Sequence, residues 1–166
     1  MALIHGILQE LEQEAQTTRR VLERVPGDQL TWRPHEKART LGELAMHVAI
    51  IPGAIAGLAT SESPAQVPKF TDPVPQSASE LIPALEESIT KAKQLLSGVS
   101  DATLMETWCL MQGERQVFAL PRIALLRSIM LNHWYHHRGQ LSVYLRELDV
   151  AIPSIYGPSA DENPFV

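Results

Sequence analysis

The stretch NHWYHHRGQ, residues 132–140, carries three histidines, His133, His136 and His137. Residues four apart on a helix stand about 5–6 Å from each other at Cβ, so His133 and His137 can reach one ion. The same spacing lets the two histidines of an H-E-x-x-H helix share zinc. At about 100° per residue, His133 and His137 share a side with Ile123, Leu126, Met130, Leu141 and Tyr144, which places the pair in an apolar stripe. Neutral rings in a core need partners for both nitrogens, and each unpaired polar atom costs about 1–3 kcal/mol. A shared metal satisfies one nitrogen of each ring; a satisfied core or boundary pair is the competing reading. His136 falls about 60° off His133, on the shoulder of the stripe. Gln140 returns to the stripe one turn later, where its amide can orient a ligand or meet a substrate.

A third ligand would complete a site. His47, in ELAMHVAII, flanks Leu44, Val48 and Ile51 and is either a core-edge histidine or a third corner from a facing helix. Glu14 is a candidate fourth ligand or supporting carboxylate, set against a solvated boundary residue. His5 near the terminus and His35 in WRPHEK are expected away from the site. Arg138 is expected as a bundle-edge ion pair or, at a pocket mouth, as an anchor for a substrate carboxylate. Cys109 is expected as an inert thiol, and Trp32, Trp108 and Trp134 as packing residues. Three protein nitrogens leave a coordination position open, as catalytic zinc sites do. Water held there ionises near neutral pH, and a thiol there loses its proton. Neutral imidazoles suit zinc, nickel, copper or iron alike.

Four helical segments must position these groups. Residues 3–24 recur at 3 and 4, and Pro26-Gly27 stops them. Thr40-Leu41-Gly42-Glu43 is a capping box opening a second helix toward Thr60, which Pro52-Gly53 is expected to kink or end early. Ser77-Ala78-Ser79-Glu80 repeats the box before a third helix that ends near Gly98. The fourth runs from Pro121 to Leu148, about 40 Å at 1.5 Å per residue. The connections 26–39, 61–76 and 99–120 are long, and ETWCLMQGERQVFA, residues 106–119, can form a short hairpin. The residues from about 150 onward form an extended tail whose Ile155, Tyr156 and Phe165 are expected to pack on something, such as a second subunit. The expected fold is all-α, one domain over residues 1–166.

Composition narrows the function classes. A net charge of -5 with no basic, aromatic-interleaved run argues against nucleic acid. The lone cysteine excludes an internal disulfide and fits a reducing compartment. No apolar run approaches the roughly 20 residues that span a bilayer. The acidic start MALIHGILQELEQE does not look like a signal peptide, so a cytoplasmic protein acting on a small molecule is expected.

LGELAMHVA and the later LNHWYHHRGQLSVYLRELDV resemble the DinB-like damage-inducible superfamily, also called the YfiT-like metal-dependent enzymes. The resemblance extends through DQLTWRPHEKARTLGELAMH and PSIYGPSADE, and H-x-x-H-H-R-G-Q is its most specific piece. It implies a four-helix bundle with one long crossover, holding a divalent metal (zinc, nickel or iron) on His47, His133 and His137. His136, Arg138 and Gln140 match the motif positions beside these ligands. It also implies a homodimer. Members with known activities include transferases and isomerases using low-molecular-weight thiols such as glutathione, bacillithiol or mycothiol. The reading that follows is a metal-dependent S-transferase or hydrolase. Its competitors are a non-catalytic, metal-binding, dimeric stress-response bundle and metal-free acid–base chemistry by His136 or His137.

Overall fold

The computed structural model describes residues 2–69 and 73–165. Three long helices come first in the chain: α1 (Leu3–Leu22), α2 (Leu41–Ala59) and α3 (Leu81–Leu96). A short α4 (Asp101–Met105) follows, and then a hairpin of β2 (Thr107–Gln112) and β3 (Arg115–Pro121). The last long element is α5 (Arg122–Leu125), a π-helical stretch (Leu126–Asn132) and α6 (His133–Glu147) in continuous succession. The protein is mostly helical, but the expectation of an all-α fold is corrected. A short β1 (Ala65–Gln66) pairs in parallel with β2, giving a three-stranded sheet in the order β1-β2-β3. The hairpin turns at Gly113, whose φ of 61° lies in the left-handed region that glycine tolerates without a Cβ clash.

The expected caps are present. Thr40 Oγ1 accepts from the Glu43 N–H at 3.2 Å, and Glu43 Oε2 accepts from the Thr40 N–H at 2.7 Å. Ser77 and Glu80 make the same exchange before α3. Of the two outcomes expected at Pro52-Gly53, a kink or an early end, the early end is overturned: α2 runs on to Ala59, and neighbouring side chains explain why. Proline has no N–H to give the Val48 carbonyl one turn back. The indole N–H of Trp134, fully buried on α6, donates to that carbonyl at 2.8 Å. Ser88 of α3 repairs the other side, accepting from the Gly53 N–H at 2.8 Å and donating to the Ile50 carbonyl at 3.1 Å. A Cβ at Gly53 would lie 2.8 Å from the Ser88 carbonyl oxygen, so glycine lets α2 and α3 approach this closely.

The 19 residues of α2 are long and apolar enough to cross a membrane by length and composition, contrary to the expectation that no run qualifies. In the fold 67% of that window is buried. The helix is the hub of the core, packed on α3 and α6, with Leu44, Val48, Ile51 and Ile55 among its buried residues.

Candidate metal centre

The π-helical turns and α6 together set the direction of the histidines. The buried stripe runs Met130, Trp134, Arg138, Leu141 and Leu145, not through His133 and His137. A π-helical turn closes with an i→i+5 hydrogen bond and shifts the phase of everything after it. His133 and His137 therefore stand half-buried on the flank of the stripe, a correction to their expected core position. From α2, half-buried His47 meets them. The candidate ligand nitrogens of His47, His133 and His137 all lie within 4.8 Å of one another. Ring centroids are 5.4 Å apart for His47–His133, 4.6 Å for His47–His137 and 4.4 Å for His133–His137.

The donor set fits a divalent ion. Nitrogens bound tetrahedrally at 2.0–2.1 Å stand about 3.3 Å apart. His133 Nε2 and His137 Nε2 are 2.8 Å apart, a small ring rotation from that spacing. Behind the pair, His137 Nδ1 is hydrogen-bonded to Gln140 Oε1 at 2.7 Å. This leaves the His137 Nε2 lone pair aimed at the centre, the role such outer partners play at metal sites. His133 Nδ1 lies near the Ile129 carbonyl without a well-formed hydrogen bond. Burial pushes both rings below the ordinary histidine pKa, with His47 adding to the effect at His133. Gln140 opposes it at His137. Neutral imidazole is the form that binds metal.

The other candidate residues do not join the three histidines. His136 is exposed beside His137, with ring centroids 5.0 Å apart. His5 and His35 are exposed, and His35 Nδ1 accepts from the Lys37 N–H at 3.1 Å. Arg138, expected at a bundle edge or pocket mouth, is 1% exposed. Its guanidinium donates to Glu14 Oε2 at 2.6 Å, Thr18 Oγ1 at 3.0 Å and the Tyr156 hydroxyl. Glu14 is thus committed to Arg138 and to Tyr156, whose hydroxyl donates to it at 2.9 Å; it does not join the histidines. A charge this deep needs a partner, and each supplies the other's. The tail is accordingly pinned within the same chain by Tyr156, while Phe165 is 77% exposed. Cys109 is half-buried on β2, its thiol donating to Gln116 Oε1 at 3.2 Å. Trp108 and Trp134 are fully buried packing residues, and Trp32 sits edge-on to Tyr144 at 5.6 Å.

A cavity of about 460 Å³ opens beside His47 and His133. Ile51, Ile55 and Leu58 of α2 wall one side, and Leu110 and Phe118 of the sheet another. Arg39 and Lys69, neither nominated from sequence, also line it. A groove of about 610 Å³ between α2 and α3 contains none of the three histidines.

The DinB family profile matches residues 3–163. The chain belongs to the DinB family. It is 30% identical over 158 residues to the Bacillus subtilis (strain 168) protein YrdA, covering 93% of this chain and 89% of that one. Among solved structures it resembles a DinB-like protein of Bacillus cereus ATCC 10987 with a TM-score of 0.68 and 25% identity, over 92% of this chain and 97% of that one. YjoA, a DinB-like protein of Bacillus subtilis, aligns with a TM-score of 0.64 at 20% identity, over 87% of this chain and 92% of its own; that likeness is one of fold. Membership in this family agrees with the resemblance carried by the H-x-x-H-H-R-G-Q motif.

Proposed function

We propose that His47, His133 and His137 hold one divalent transition ion, zinc, nickel or iron, and that the protein is a metal-dependent enzyme of the S-transferase or hydrolase kind. The observation that carries this reading is the convergence of three imidazoles, two of which, His47 and His133, line a cavity. An ion held by three protein ligands supplies Lewis acidity at its open position, where a thiol or water would be acidified. The chain's own residues do the rest. Gln140 fixes the tautomer and direction of His137. Trp134, one residue after His133, ties α6 to the Val48 carbonyl, one residue after His47, and so sets the spacing of the two ligand helices. Ile51, Ile55, Leu58, Leu110 and Phe118 give one side of the site an apolar wall.

Elemental analysis of the purified protein should give about one metal per chain, lost in His47→Ala, His133→Ala and His137→Ala. Full metal in the His137 variant would sink the ligand assignment. A screen of glutathione, bacillithiol and mycothiol with electrophilic substrates, alongside hydrolysable esters, then tests turnover. No activity with any of them would favour a metal-binding protein without catalysis. The homodimer that the family resemblance implies belongs to the same proposal and is read by light scattering.

A further inference from the structure

The cavity beside the histidines has a direction. Ile51, Ile55 and Leu58 follow His47 at i+4, i+8 and i+11, one face of α2, so its wall extends from the histidines for about 16 Å at 1.5 Å per residue. Leu110 and Phe118 face each other across the β2–β3 ladder, so their side chains leave the same face of the sheet and cover the slot. Ile129, one turn before His133, closes the side toward the π-helical stretch. The charges are gathered differently. Arg39 immediately precedes the cap of α2, at the histidine end, where its positive field bears on both His133 and His137. Lys69 lines the cavity as well, and no lining residue among those described is acidic. The volume falls in the roughly 300–1,000 Å³ range of small-molecule sites.

We propose that the slot binds an amphipathic organic anion, its elongated apolar body lying along α2 under Leu110 and Phe118, and its carboxylate held by Arg39 at the histidine end. Resting on the functional reading above, this names the substrate class of that site: an alkyl or aryl carboxylate whose reactive group sits near the anionic head. The anchoring role expected of Arg138 from the sequence falls instead to Arg39. An alkylammonium of the same length sets a cation against the Arg39 guanidinium and binds more weakly than the carboxylate. A short carboxylate loses the apolar contacts and binds weakly.

The test is calorimetric titration of the full-length protein, metal-loaded and chelator-treated, with hexanoate, octanoate, decanoate and decylammonium. Affinity should rise about fourfold per added methylene in both preparations, and decylammonium should bind at least tenfold more weakly than decanoate. Arg39→Gln should weaken decanoate about tenfold. Ala54 lines the same cavity seven residues after His47, and Ala54→Trp should abolish the gain from octanoate to decanoate while leaving metal content unchanged. Affinity that stays flat with chain length, or decylammonium binding as well as decanoate, would overturn the proposal on the parent protein alone. The two readings fail separately. A parent without metal that still shows the chain-length series leaves the slot standing and removes the metal reading; a metal-loaded parent with a flat series does the reverse.

Discussion

His137 Nε2 stands 2.8 Å from His133 Nε2, and His137 Nδ1 is bonded to Gln140 Oε1. Because the amide oxygen takes the Nδ1 proton, His137 Nε2 is a lone pair, and in the metal-free protein His133 Nε2–H must be the donor between them. Binding an ion needs the lone pair of both rings. His133 must then carry its proton on Nδ1, where the Ile129 carbonyl is at hand. The expected outcome is a tautomer switch at His133 and none at His137 when zinc is added. Long-range ¹⁵N spectra of labelled histidines read it directly, and an unchanged His133 pattern would refute the assignment.

Gln140 itself is exposed, so its loss should cost little stability. Its hydrogen bond orients a ligand, and outer partners of this kind are worth roughly 10–100-fold in metal affinity. Gln140→Ala is expected to weaken zinc binding within that range with a melting temperature close to the parent's. Competition with a chelator of known affinity measures the first, and thermal unfolding of the metal-free forms measures the second.

The pH dependence has a definite sign. Burial holds the folded-state values of His133 and His137 below the ordinary 6.5. Between the folded and unfolded values the unfolded chain binds more protons, so acid favours unfolding there. Stability of the metal-free protein should therefore be at its full value above about pH 6.5 and decline as the pH falls through the depressed folded values. Melting temperatures of chelator-treated protein from pH 8 to 5 check this, and the double variant His133→Asn, His137→Asn should show a flatter profile. Bound metal should be released over the same acid range, since protons and metal compete for the same lone pairs.

Much of this was legible in the chain. Capping boxes at Thr40–Glu43 and Ser77–Glu80 depend on residues three apart, and such local signals translate directly into structure. The His47, His133 and His137 trio rests on helical spacing plus a family motif, and the fold brings all three together. What failed did so through long-range partners. Pro52 breaks a helix unless something takes the Val48 carbonyl, and nothing near Pro52 in sequence announces Trp134. A uniform 100° wheel has no way to include the π-helical turns that rotate the stripe onto Arg138. Glu14 looked like a boundary carboxylate because its partners, Arg138 and Tyr156, lie far along the chain. Arg39 stood in plain view before the capping box, but only the sheet's placement over α2 makes a cavity for it to line.

The Arg138–Glu14 pair yields a contrast between stability and chemistry. With side chains 1% and 9% exposed, removing one partner strands the other charge in the core. Arg138→Met is expected to cost about 3–5 kcal/mol, read by denaturant unfolding. The double replacement Arg138→Met, Glu14→Leu should recover much of that loss, because no unpaired charge remains. Neither change reaches the cavity, so metal content and decanoate affinity of the folded fraction should stay near the parent's. A tenfold loss of ligand affinity at unchanged stability would instead return Arg138 to the binding site.

Trp134 offers the sharpest test of how the fold holds the ligand helices. Its indole N–H is the partner of a carbonyl that Pro52 leaves without one, in a fully buried setting. Trp134→Phe keeps most of the ring's apolar bulk but removes the donor, leaving the Val48 carbonyl unsatisfied at a cost of about 1–3 kcal/mol. The same carbonyl lies one residue from His47, and the indole one residue from His133. Loosening this link should therefore weaken zinc affinity as well as stability. Adding Pro52→Ala to Trp134→Phe restores a backbone N–H at position 52, and helix α2 can then satisfy Val48 itself. Stability and zinc affinity should both rise in the double variant relative to Trp134→Phe alone. If Pro52→Ala gives no rescue, the carbonyl is not what couples the two helices, and packing of the ring alone accounts for the loss.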